Sequence, residues 1–168
     1  MSGIILLKED YNMKTLRLVL YVAFTLLLAA SLGFAASGEF KTKLSGKEVV
    51  PPVETKATGY AVFKLSKDGK EITYILKVKN IENVTVAHIH AGKKGESGGP
   101  VAGLFMGPKK EGKFSGELAK GTITDQDLVG KLAGKTIGDL VKLIKDGEAY
   151  VNVHTVKNPN GEIRGQIK

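Results

Sequence analysis

From Phe40 onward, apolar side chains recur at every second position, the period of a strand with one buried face. Phe40, Thr42 and Leu44 alternate with Lys41 and Lys43. Gly59, Ala61, Phe63 and Leu65 mark a second run over Thr58–Leu65. Asp68-Gly69 signals a hairpin turn, and the chain returns with Ile72, Tyr74, Leu76 and Val78 set against Glu71, Thr73, Lys77 and Lys79. Asn80–Asn83 is expected to turn the chain into Val84–Ala91, with further strands at Val101–Met106 and Phe114–Ile123. Pro51-Pro52 excludes a central strand between Lys47 and Val53, which is expected to be an extended edge or a loop.

The period then changes. Ile137, Leu140, Val141 and Ile144 follow Thr136, with Asp139 three residues after it and Gly147 at the end, which predicts an N-capped amphipathic helix. Thr124 with Asp127 predicts a shorter helical turn before it. Ala149–Thr155 returns to strand, Asn158–Gly161 turns, and Ile163, Gly165 and Ile167 share one face of the closing strand. The fold class expected is mostly β, an antiparallel β-sandwich of about seven to eight strands with one short helical crossover.

Candidate chemistry concentrates in Val84–Ala91, where alternation puts His88 and His90 on one side with Val84 and Val86. At the usual strand rise their α-carbons stand roughly 6.5–7 Å apart, so both imidazoles can reach one ion. His154, the remaining histidine, lies in the Ala149–Thr155 strand and shares a face there with Tyr150 and Asn152. If the two strands are neighbours, three imidazoles meet with an open coordination position, which suits copper, or less well a catalytic zinc. The alternative is that all three are packing histidines hydrogen-bonded to Asn152, Thr155 or backbone. Asn152 could orient His154. Glu162 and Arg164 project from one face of the last strand, either as an ion pair tying that strand to a loop or with Arg164 offered to a carboxylate or small anion.

The first 35 residues read differently. Met13-Lys14-Thr15-Leu16-Arg17, the apolar run Leu18–Ala30, and Gly33 and Ala35 form the basic, apolar and small-residue parts of a secretory signal, cleaved after Ala35. Lys8-Glu9-Asp10 can be encoded by AAG-GAG-GAT, a ribosome-binding sequence ahead of Met13, so Met13 is read as the true start. Residues 36–168 then form one exported domain, periplasmic, cell-wall-bound or extracellular, with no membrane span after processing. The 168-residue chain has no cysteine, so stability rests on the core, and nothing points beyond a monomer or weak oligomer. After residue 35 there are 22 basic and 15 acidic residues, and Arg164 is the only arginine. A lysine-rich surface nearly without arginine argues against sequence-specific nucleic-acid binding and suits anionic envelope polymers or small anions. Neither a nucleophile elbow nor a phosphate-binding glycine loop occurs.

Taken in order, Leu44–Val53, Thr58-Gly59-Tyr60-Ala61, Ala87–Gly92, Tyr150–Thr155 and Gly161–Ile167 resemble the CHRD domain, the module named after chordin and found in exported bacterial proteins. The resemblance spans nearly the whole of residues 36–168. It implies a binding or structural module acting on an envelope or extracellular ligand, or a protein-interaction module using the loops Ala91–Pro100 and Lys109–Lys113. In outline the chain is also similar to copper-zinc superoxide dismutases. That likeness would make His88 and His90 the paired ligands, His154 the later ligand and Arg164 an anion guide, in a copper-dependent dismutase-like enzyme. With three histidines and no cysteine pair, the bridging and zinc positions of such an enzyme cannot be built.

Overall fold

The computed structural model describes residues 38–168, so the expected signal sequence and the choice between Met1 and Met13 lie outside the described residues. Among the described residues seven strands form: β1 (Glu39–Ser45), β2 (Thr58–Leu65), β3 (Ile72–Ala91), β4 (Pro100–Phe105), β5 (Lys110–Ile123), β6 (Ala149–Thr155) and β7 (Ile163–Gln166). One helix, α1 (Ile137–Lys145), joins β5 to β6 after two 3-10 turns. The antiparallel β architecture is the expected one. All seven strands belong to a single sheet that rolls closed, a barrel-like way of packing two faces around one core.

Closure depends on β3. Its first half pairs with β2 on one side and β5 on the other, and its second half with β6 and β4. The ring runs β2, β1, β7, β6 and back to β3. The turn expected at Asn80–Asn83 is instead a bulged bend inside one 20-residue strand. Asn80 and Asn83 take φ of 56° and 53°, a left-handed conformation that asparagine tolerates better than most residues. The Asn83 Oδ1 accepts from the Gly112 N–H at 2.9 Å, and Ile81 and Val84 anchor the bend in the core. Bulges raise local twist, which lets one strand serve both halves of the sheet.

The core is built by the period-two positions: Leu44, Ala61, Phe63, Ile72, Leu76, Ala87, Ile89, Val151, Val153, Ile163 and Ile167 are all buried. The helix forms where its caps predict it. Asp139 accepts from the Thr136 N–H and hydroxyl, and Ile137, Leu140, Val141 and Ile144 are buried. Asp127 caps the turn at Thr124 in the same way. No helix among the described residues is long and apolar enough to cross a membrane.

Candidate metal centre

With Ala87 and Ile89 in the core, His88 and His90 must face the other side of β3. There β6 pairs beside them, His88 opposite Asn152, His90 opposite Tyr150 and Val86 opposite His154. β7 continues the same row, Arg164 opposite Asn152. Two strands distant in sequence thus place all three imidazoles on one face. Their ring centroids lie 5.5 to 5.6 Å apart, and one nitrogen from each falls within 4.8 Å of the others.

Two loops orient the rings. The Nδ1 of His90 donates to the Gly98 carbonyl at 2.8 Å, and the Nδ1 of His154 donates to the Pro159 carbonyl at 2.9 Å. A carbonyl accepts only, so both Nδ1 atoms carry the proton and both Nε2 atoms keep a lone pair. Those Nε2 atoms and the Nδ1 of His88 are sealed from water and have no hydrogen-bond partner. Such orphans are rare in folded proteins. Three nitrogens bound to one ion at about 2.0 Å stand roughly 3.3–3.5 Å apart, so shifts of roughly 1 Å would close the site on a metal.

Burial and the two neighbouring imidazoles push the His88 pKa down to about 4, and burial lowers His90 and His154 as well. All three are neutral at pH 7, the form that ligates metals. A histidine depressed in the folded state contributes stability above its unfolded value of about 6.5 that is lost as pH falls toward 4. The metal-free protein is therefore expected to lose urea resistance between pH 6.5 and 4, a range in which His88→Gln should show a flatter profile. Equal slopes in parent and variant would remove His88 from the account.

Arg164 is 3 % exposed, donates from Nη2 to the Lys93 carbonyl at 2.9 Å and lies 3.5 Å over the Tyr150 ring. Tyr150 in turn stacks on His90 at 5.2 Å. Arg164, His90, Ser97, Asn152 and Asn160 line a cleft of about 310 Å³. Asn152 donates to the Asn160 carbonyl at 3.1 Å rather than to His154, so it holds the turn that carries Pro159. Glu162 lies away from the imidazoles and accepts from Thr55, Thr155 and Asn158 at 2.7, 2.7 and 3.1 Å. No ion pair joins it to Arg164 among the described residues; the closing strand is tied instead by these neutral donors.

Gly98 and Pro159 orient two of the candidate ligands and were not singled out in the sequence, because they act through carbonyls that every residue possesses. A side chain at Gly98 would collide with the Ala91 carbonyl, which is the physical reason a glycine stands where the loop turns back onto His90.

The profile of the CHRD domain matches residues 40–167, and the chain belongs to that family. It is 32 % identical over 132 residues to Chordin of Xenopus laevis, covering 74 % of this chain and 12 % of the relative. To Chordin of Danio rerio it is 29 % identical over 141 residues, covering 79 % and 13 %. The chain thus spans about an eighth of the length of these relatives. No solved structure matches it.

Proposed function

We propose that this domain is an extracytoplasmic binding module that holds one copper ion through His88, His90 and His154. The observation that carries the reading is the convergence of three neutral imidazole nitrogens that are buried and unpartnered, two of them with their tautomer set by backbone carbonyls. Intrinsic affinity favours copper(II) over the other divalent first-row ions at nitrogen donors, and three protein ligands leave a position for an outside ligand. Copper bound there would supply a one-electron centre on one face of the β-sheet. The protein's own contribution is to keep the imidazoles neutral, oriented and dry before the ion arrives. The signal-like pattern from Met13 to Ala35 supports an exported setting, with periplasm, cell wall and medium all open to it.

Electron paramagnetic resonance of the purified protein with less than one equivalent of copper(II) tests the assignment. A nitrogen-rich signal is expected in the parent and not in His88→Ala/His90→Ala. A spectrum like copper in buffer, or one indifferent to both substitutions, would overturn it.

A second reading, a dismutase-like enzyme, is favoured by one observation: the Arg164 guanidinium lines the cleft beside His90 and has no carboxylate partner among the described residues. Superoxide turnover by the copper-loaded protein, and its loss in Arg164→Met, would separate an enzyme from a binding module.

A further inference from the structure

The three-histidine cluster has a neighbour of a different chemical kind. On β4, Gly103 pairs directly with His88, so the missing Cβ of Gly103 leaves space on the face that carries the imidazole. The Met106 side chain lies over that space, its Sδ 3.0 Å from where a Gly103 Cβ would stand. Side chains of directly opposed residues stand on one face, so the sulfur lies on the face of the sheet that carries the His88 side chain. Met106 and His88 line the same cleft, of about 630 Å³, together with Gly103, Tyr74 and Asp127.

Packing does not account for this methionine. It is 69 % exposed, far outside the core, and it is the only methionine after Met13. Its unbranched side chain, with three rotatable bonds, can adapt its reach. The one carboxylate in the cleft, Asp127, caps Thr124 through its Oδ2, which accepts at 2.8 and 2.7 Å. The cleft thus offers, beside His88, a thioether as a further donor. Thioethers are soft donors and favour copper(I).

We propose that Met106 is the fourth donor of the site and that it makes the domain a holder of copper(I), the imidazoles serving both oxidation states and the sulfur only the reduced one. The proposal rests on the three-histidine reading and adds the ion's oxidation state to it. Copper(I) enters and leaves with its valence unchanged, so no electron donor is required. The adaptable Met106 side chain brings its sulfur to the metal.

Met106→Leu keeps the size and hydrophobicity of the side chain at an exposed position and removes only the sulfur. Copper(I) affinity is measured without oxygen by competition with a coloured copper(I) chelator, copper(II) binding by paramagnetic resonance, and sulfur ligation by X-ray absorption of the copper(I) form. The expected result is copper(I) binding weakened on the order of tenfold or more, an unchanged copper(II) spectrum, and a sulfur scatterer present in the parent and missing in the variant. Equal copper(I) affinities, or no sulfur beside copper in the parent, would overturn the role of Met106 while a nitrogen-rich copper(II) spectrum left the histidine site standing. Absence of binding by either ion in the parent would sink both.

Discussion

Gly165→Ala is expected to lower the unfolding free energy by more than about 3 kcal/mol, read from the urea midpoint. Gly165 sits on β7 between Ile163 and Ile167, on the face that looks inward, where β1 crosses closely. A Cβ there would overlap the Lys43 carbonyl oxygen and the Thr42 hydroxyl. The carbonyl is backbone and cannot rotate away, so one of the two strands must move. That movement breaks the seam that closes the sheet, including the Lys41–Lys168 pair of backbone hydrogen bonds at 2.7 and 3.0 Å. It also opens the packing of Ile163 and Ile167, both fully buried. Gly99→Ala is the control, because a Cβ there meets nothing within 4 Å. A Gly165→Ala midpoint within experimental error of the parent would show that β1 and β7 are not held at this distance.

His154→Ala is expected to weaken copper binding about a hundredfold or more, the loss of a direct ligand exceeding the 10- to 100-fold typical of a supporting residue. The ring is held by the Pro159 carbonyl on one side and points its unpartnered Nε2 toward His88 and His90 on the other. Its removal leaves two imidazoles and a carbonyl without a donor. The unpaired carbonyl costs about 1–3 kcal/mol. The strand survives, since Val151 and Val153 hold β6 from the opposite face and Thr155 remains bound to Glu162. Stability and affinity thereby separate the two accounts of these histidines. If they serve packing alone, chelator competition will give the same weak copper binding in parent and variant while the urea midpoint falls. If they form the site, affinity collapses by far more than the fold loses.

Part of this site was legible in the chain. Strand period alone put His88 and His90 on one face, because side chains alternate whatever the strand pairs with. The helix was legible from Thr136, Asp139 and its apolar stripe, since capping and amphipathicity are local. The approach of His154 was not. It depends on β6 pairing beside β3 in the register that sets Val86 opposite His154, a contact between segments more than sixty residues apart. The same limit hid the closure of the sheet: the Asn80–Asn83 segment carries a turn composition, and only pairing with β5 on both sides of the bulge keeps it within one strand.

The sequence by itself determined most of the strands, the capped helix and its buried stripe, and the placing of two histidines on one face. These follow from short-range alternation and from hydrogen bonds within a few residues. Tertiary structure alone decided that a third imidazole would join them, that the carbonyls of Gly98 and Pro159 would fix two tautomers, that Glu162 would bind neutral donors instead of Arg164, and that Met106 would lie over Gly103. Each of those depends on which segments a closed sheet brings within a few ångströms, and the energy that selects that closure is the burial of a core shared by all seven strands.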